Sequence, residues 1–187
     1  KNFAFAPESG DEEILKIIKK QVDTKKLLDA AKVVLKTNMT IGCFIVIGFP
    51  EDTPKSMKST LKLIRRLAFM GIHDVTVSKF TPYPGSKYFN DLVENKVISD
   101  NMNELKNIIS FYGGTGVSYS PKLSFKELYK WMMIMFLNFY LISFFVRPWR
   151  PIKNFWDYFT KGVENTRYMR FFTELFYLRR KWSKHST

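Results

Sequence analysis

The chain has 187 residues, of which 45% are hydrophobic and 25% charged, a composition typical of a globular protein with its own core. Its one cysteine, Cys43, excludes a disulfide framework and a metal site made from several thiolates of this chain. No stretch resembles a signal peptide, so we expect a cytoplasmic protein. The net charge of +13 is uneven, because residues 121–187 carry 13 basic and 4 acidic side chains and 19 of the 31 aromatic residues. The two parts of the chain therefore need separate explanations.

The N-terminal part predicts alternating strands and helices. The run TIGCFIVIGF is apolar throughout, as expected of a strand that is covered on both faces. We predict strands at residues 2–6, 41–47 and 74–80. We predict helices capped by Ser9 (in a capping box with Glu12), by Thr24 and by Thr53 with Pro54 in the first turn, and a shorter helix near Lys87. This order predicts parallel strands with right-handed crossovers, and a three-stranded parallel sheet leaves both of its edges bare.

The C-terminal part predicts helices only. Ser124 is a candidate cap for a long apolar helix, which Pro148 and Pro151 are expected to end. A short helix that stops at Gly162 follows, and residues 165–182 predict a third helix with its arginines largely away from its aromatic face.

The domain organisation follows from this change in composition. We predict an α/β unit at residues 1–95, a connecting helix and loop at 96–123, and a helical basic and aromatic extension at 124–187. The uncharged stretch 131–146 has 16 residues, short of the ~20 needed to span a bilayer. We therefore favour a buried helix, or one that lies on a membrane surface, over a transmembrane helix.

Three turns follow the three predicted strands: APESG, VIGFPEDT and FTPYPGS. Carboxyl ends of parallel strands share one edge of a sheet, and ligands bind there in α/β proteins. Each turn also has a plain structural explanation as a strand-to-helix connection. Together, in this order and spacing, they resemble the C-terminal half of a radical SAM domain, most closely the cobalamin-binding class that includes the anaerobic magnesium-protoporphyrin ester cyclase. The resemblance covers roughly residues 3–90.

The resemblance implies a partial radical SAM βα barrel and the chemistry of that family. Such enzymes hold a [4Fe–4S] cluster on a three-cysteine loop and cleave S-adenosylmethionine (SAM) to a 5′-deoxyadenosyl radical, with cobalamin as a further cofactor in this class. The implied activity is that of an oxidoreductase or methyltransferase. The implied substrate is a small molecule of lipid-like or porphyrin-like character.

The resemblance also implies six cofactor-binding residues: Glu8, Ser9, Val46, Gly48, Glu51 and Thr81. The first two correspond to positions beside the ribose and methionine portions of SAM, and the next three to positions that border the adenine. The last begins the turn that closes the same rim. A carboxylate suits this role, because charge-assisted hydrogen bonds to ribose hydroxyls or to an ammonium group are strong.

The cluster cysteines have no counterpart in this sequence. Cys43 lies in the apolar strand and is expected to be a small hydrophobic residue; His73 and His185 lack metal-ligand partners and are expected to be solvated. We therefore expect the chain to be part of a larger enzyme and inactive alone. The expected partner at the open sheet edge is the missing N-terminal half or a second copy of the chain.

The basic aromatic extension has three explanations. Its apolar faces could pack on the α/β unit or on the missing half, which is the explanation we favour. They could hold the protein peripherally at an anionic membrane or meet a lipid-like substrate, and nucleic acid ranks below that. An alternative for the whole chain is a non-catalytic α/β binding module whose tail binds a membrane surface or nucleic acid.

Overall fold

The computed structural model describes residues 2–99 and 117–162. Three strands, β1 (Asn2–Glu8), β2 (Thr40–Ile47) and β3 (Asp74–Lys79), form a parallel sheet in the order β1-β2-β3. The described helices are α1 (Glu12–Ile17), α2 (Thr24–Val34), α3 (Pro54–Met70), α4 (Lys87–Glu94), α5 (Phe125–Val146) and α6 (Trp149–Lys161). The predicted parallel α/β order is confirmed. Within the described residues the sheet is open, and its completion to a barrel stays a prediction.

Two predicted caps are confirmed and two are wrong. Thr53 and Ser124 each form a capping box at the start of α3 and α5. α1 is instead capped by Asp11, whose carboxylate accepts two backbone N–H groups of the first turn, and α2 is capped in the same way by Asp23. Aspartate is as good a cap as serine or threonine. The Ser9 hydroxyl is buried and used elsewhere, so the aspartate nearer the helix takes that role.

The region after α5 also differs from the prediction. α5 ends at Val146, but α6 begins at Trp149, and Pro151 lies in its first turn instead of ending a helix. Proline is tolerated there because the first turn has no intrahelical acceptor for its missing N–H. Gly162 ends α6 as predicted. The third predicted helix, residues 165–182, lies outside the described residues.

One face of the sheet packs against helices. Alternate residues of β2 are almost fully buried, and they share one core with buried residues of α2, α3 and α5. α5 contributes Met135 and Phe139, both with no exposed surface, so this helix covers the same face as α3. The other face of β2 is more open, and 41% of the surface of Phe44 is exposed there. The domain boundaries predicted at residues 95 and 123 stay predictions, because the core includes residues from both sides of them.

α5 and α6 are also tied to the end of α3 by two arginines. Arg147 donates to the carbonyl groups of residues 68–70, and Arg150 donates to those of residues 71 and 72. These are carbonyl groups at the C-terminal end of α3, where a cation is favoured by the helix dipole. The prediction that His73 is solvated is wrong. His73 lies beside these carbonyl groups and is half-buried, and its Nδ1 accepts the N–H of Ile41 at 3.3 Å.

α5 is the one described helix that is long and apolar enough, by length and composition, to cross a bilayer. It has 22 residues, six more than the uncharged stretch 131–146. Core helices of soluble proteins satisfy the same criterion. In this structure one face of α5 lies in the core formed with α3 and β2.

Candidate functional site at the carboxyl edge of the sheet

The three turns lie at one edge of the sheet, as predicted from the strand order. The register places Glu8 beside Ile45, and it places Val46 beside Ser78 at the neighbouring strand. Because all strands run in the same direction, Glu8, Val46 and the turn that contains Thr81 share this carboxyl edge. The SAM contacts implied for the six residues are not tested by this arrangement and stay predictions.

The turn after β1 separates the roles of Glu8 and Ser9. Glu8 has a backbone φ of 69°, and its half-buried carboxylate lies 3.1 Å from the ammonium group of Lys20. Ser9 is buried; its hydroxyl bonds the Thr60 hydroxyl at 3.3 Å and accepts the backbone N–H of Asp11. Ser9 therefore anchors the turn on α3, whereas the Glu8 carboxylate pairs with Lys20 at the edge of the sheet.

Gly10 completes this anchor. A Cβ atom added to it would lie 2.6 Å from the backbone Cα of Thr60, closer than such contacts allow. The backbone N–H of Gly10 also donates to the Thr60 hydroxyl at 3.1 Å. The glycine is needed because the turn and α3 approach each other directly.

The turn after β2 is built around a buried carboxylate that sequence reasoning missed. The backbone N–H groups of Gly48 and Phe49 donate to Asp52 Oδ2 at 2.7 and 3.0 Å. Ser56 donates to Asp52 Oδ1 at 2.7 Å, and Ser120 donates to the Asp52 carbonyl at 2.8 Å. Burial raises the pKa of the Asp52 carboxyl, against the lowering effect of these hydrogen bonds. The only sequence signal was an acidic residue directly before the capping Thr53.

Gly48 has a structural role besides the predicted one. Its φ of 90° favours glycine, and an added Cβ would meet the Leu128 side chain of α5 at 2.8 Å. Its N–H is already taken by Asp52. Gly48 thus lets the first turn of α5 approach the end of β2.

A cavity of about 370 Å³ lies beside this turn. Its lining comes from the end of α1, the turn after β2 and the start of α4: Ile17, Ile18, Lys19, Glu51, Lys87, Tyr88 and Asp91. The Tyr88 hydroxyl donates to Glu51 Oε2 at 3.1 Å. Burial first, and then the charge of Glu51, raise the pKa of Tyr88, so it stays a hydrogen-bond donor. Because Lys19 lines the cavity and Lys20 pairs with Glu8, the segment after α1 lies between Glu8 and the cavity that Glu51 lines.

Val46 and Thr81 lie near aromatic side chains at the same edge. Val46 is half-buried and packs with a cluster that includes Phe49 and Phe80. The Thr81 hydroxyl donates weakly, at 3.5 Å, to the carbonyl of Lys79. Burial lowers the pKa of Lys79, whose ammonium group lies 5.8 Å from the ring centroid of Phe125. The edge therefore offers an apolar floor with charged groups around it.

The residues of this chain do not fit a [4Fe–4S] cluster. The single cysteine, Cys43, has 1% of its surface exposed, which confirms its prediction as a small hydrophobic residue. Burial, together with the nearby charge of Glu8, raises the pKa of its thiol, whereas a cluster needs several thiolates. Residues 2–99 and 117–162 contain no group of three or more His, Cys, Asp or Glu that could hold a metal ion.

Comparison with known proteins finds methyl- and methylthio-transferring enzymes. No family model matches the chain. The chain is 27% identical over 158 residues to an uncharacterized methyltransferase of Pyrococcus horikoshii, which covers 82% of this chain and 31% of that protein. It is 29% identical over 105 residues to the tRNA-2-methylthio-N(6)-dimethylallyladenosine synthase of Clostridium botulinum, covering 55% and 23%. It is 26% identical over 90 residues to a threonylcarbamoyladenosine tRNA methylthiotransferase of Treponema pallidum, covering 47% and 18%.

These relatives are enzymes, and their names describe transfer of a methyl or methylthio group. The chain spans less than a third of the length of each of the three. The names support similarity to a family of enzymes that transfer methyl or methylthio groups. They do not support the cobalamin-binding, cyclase-like class that the sequence resemblance implied. The activity of the whole protein is therefore a matter of proposal.

Proposed function

We propose that this chain forms part of the SAM pocket of a radical SAM enzyme that transfers a methyl or methylthio group. The observation that carries the proposal is Glu8. Its carboxylate stands at the carboxyl end of a parallel strand, on a residue whose left-handed backbone is uncommon outside functional sites and turns. The names of the relatives support the same class of chemistry.

The charge and shape of the edge suit SAM. The ligand carries a sulfonium, an ammonium and ribose hydroxyl groups, all of which a carboxylate can bind by charge attraction or hydrogen bonds. Lys20 holds the Glu8 carboxylate in place through an ion pair of 3.1 Å. Val46, half-buried on the more open face of β2, offers an apolar contact for a flat adenine ring. When bound, SAM would supply the methyl group that is transferred.

The remaining predicted residues support the pocket in different ways. Ser9 and Gly48 would shape the pocket indirectly, because the Ser9 hydroxyl bonds the Thr60 hydroxyl of α3 and the Gly48 N–H donates to Asp52. Glu51 lines the neighbouring cavity with Tyr88 and stays a candidate for direct contact. The cluster would have to be held by residues outside this chain, and cobalamin stays a prediction of the sequence resemblance alone.

Transfer of a methyl group is the reaction we favour. The methyltransferase relative matches 82% of this chain, whereas the match to the tRNA methylthiotransferase of Clostridium botulinum covers 55%. An alignment of 158 residues must extend beyond the α/β unit and into the helical region. The substrate predicted above, a small lipid-like or porphyrin-like molecule, is consistent with this preference.

The test is calorimetric titration of SAM into the native polypeptide that carries this chain. Glu8→Gln should raise the dissociation constant roughly ten- to hundred-fold, because a hydrogen bond to a charged group is worth about 1.5–3 kcal/mol. Glu12→Gln is the matched control: it removes an exposed carboxylate from α1 and should leave the affinity unchanged.

A second control separates binding from folding. Ser9→Ala removes the bond to Thr60 and should reduce the free energy of unfolding by about 1–3 kcal/mol, with a smaller effect on SAM affinity. An unchanged affinity in Glu8→Gln would make Glu8 part of the scaffold. Absence of SAM binding by the wild-type polypeptide would favour the alternative, a non-catalytic α/β binding module.

A further inference from the structure

We propose that α5 and α6 present a surface that binds anionic lipid membranes. We call it the helical apolar surface and define it by six exposed side chains: Leu137, Leu141, Phe145, Trp149, Ile152 and Trp156. It lies outside the carboxyl edge of the sheet and does not depend on the proposed SAM pocket.

The α5 half of this surface is a continuous stripe. Leu137, Leu141 and Phe145 follow one another at intervals of four residues, so they lie on one side of the helix. Their exposed fractions are 50%, 51% and 85%. The opposite side of α5 holds Met135 and Phe139, which are fully buried against the core. The exposed stripe is therefore not needed to attach α5 to the sheet.

The α6 half repeats this arrangement. Trp149, Ile152 and Trp156 are spaced by three and four residues, and 61–70% of the surface of each is exposed. Asp157, the acidic residue of α6, is buried, while Lys153 is exposed. Of the side chains described in this helix, Trp149, Ile152, Trp156 and Lys153 therefore face outward, whereas the Asp157 carboxylate faces inward. In a helix that meets only water, the apolar side chains are expected to be buried and the carboxylate exposed.

Charge favours a lipid surface over an apolar protein partner. Residues 121–187 carry a net charge of +9. On α5, Lys126 and Lys130 are exposed and lie four residues apart. They are on the same side of the helix as Leu137. From residue 128 to residue 162 the one acidic side chain is the buried Asp157. Exposed lysines beside tryptophan and leucine are the combination that binds anionic headgroups and inserts into the interface.

The geometry indicates helices that lie on the membrane and do not span it. One side of α5 is committed to the core, and Arg147 and Arg150 hold the corner between α5 and α6 on the carbonyl groups at the end of α3. These two arginines are therefore occupied, and the lipid headgroups would be met by lysines. The α/β unit would rest beside the membrane.

The test is flotation of the full chain with vesicles. Vesicles of phosphatidylcholine with phosphatidylglycerol should carry the chain upward in a density gradient, and vesicles of phosphatidylcholine alone should carry much less. The triple substitution Trp149→Ser, Ile152→Ser, Trp156→Ser should weaken binding at least about tenfold, since it removes most of the inserted apolar area. Val33→Ser is the matched control, because Val33 is 65% exposed on α2, which packs beside β1, whereas α5 packs beside β3, and it should leave binding unchanged.

Four results would overturn the proposal. The first is no flotation of the wild-type chain with anionic vesicles. The second is equal flotation of the triple variant, which would show that another surface binds. The third is a wild-type dimer in sedimentation that the triple variant abolishes while vesicles bind neither protein; it would assign the surface to a second copy. A tight complex with a short RNA in place of vesicles would likewise refute it. Circular dichroism of each variant checks that α5 and α6 are retained.

Discussion

The α/β region and the helical region of this protein differ in the side chains that hold the first and that the second exposes. At residues 2–99 the strand ends are held by buried polar groups, of which Asp52, Ser9 and Thr60 have 2% or less of their surface exposed. In α5 and α6, large apolar side chains such as Phe145 and Trp156 face outward instead. The difference shows that the first region is built to hold backbone turns in a defined geometry, as a small-ligand pocket requires. The second exposes the apolar side chains through which we propose that it binds a lipid membrane.

The largest effect expected within this comparison is that of Asp52→Ala. It leaves the N–H groups of Gly48 and Phe49 without their acceptor and removes one of the two acceptors of the Ser56 hydroxyl, which keeps the Thr53 carbonyl. We expect the free energy of unfolding to fall by roughly 2–4 kcal/mol, since buried unsatisfied groups are costly. Urea denaturation followed by circular dichroism measures it.

The isosteric variant Asp52→Asn is the control for this prediction. It keeps one oxygen acceptor and removes a buried charge, so we expect less than half of the loss seen for alanine. Equal stability of the wild type and Asp52→Ala would show that the turn after β2 does not depend on this carboxylate.

A smaller effect is expected in the helical region, where the polar contacts are mostly exposed. Ser124→Ala removes the cap of α5, including the bond from the Ser124 hydroxyl to the Glu127 carboxylate, and should cost about 0.5–2 kcal/mol. Thr160→Ala is the control, because its exposed hydroxyl bonds only within α6, and it should change stability by less than about 0.5 kcal/mol. A loss for Ser124→Ala as large as that for Asp52→Ala would erase the contrast between the regions.

The smallest effect is a pH dependence at the junction of the two regions. Burial, with the nearby charges of Arg150 and Arg147, lowers the pKa of His73 from 6.5 to about 4. The folded state therefore keeps His73 neutral while the unfolded state takes up a proton below pH 6.5. This contribution to stability is present above pH 6.5 and is lost as the pH falls from 6.5 towards 4.

The variant His73→Gln isolates this contribution. The raised pKa of Asp52 acts in the opposite direction, because its protonation on acidification favours the folded state. The relevant quantity is therefore the difference in unfolding free energy between wild type and His73→Gln at pH 7 and pH 5. If the difference in unfolding free energy between the two proteins is the same at pH 7 and pH 5, the pKa of His73 is not lowered in the folded state.

Local patterns were sufficient for much of the fold. The apolar run of β2 and the turns on either side of the helices predicted three parallel strands and one shared carboxyl edge, which the register confirms. The caps at Thr53 and Ser124 were predictable because a capping box involves residues only three positions apart. The choice between Ser9 and Asp11 as a cap was not, since it depends on whether the Ser9 hydroxyl has another partner.

The sequence by itself thus determined the order of strands and helices, the shared edge of the turns and the uneven charge of the two regions, because each of these depends on neighbouring residues or on composition. Only the tertiary structure decided that Ser9 bonds Thr60, that Leu128 packs against Gly48, and which side of α5 is exposed. The physical reason is that these contacts join residues about 50 to 80 positions apart. Their partners are selected by packing of the whole core, which no local pattern in the sequence records.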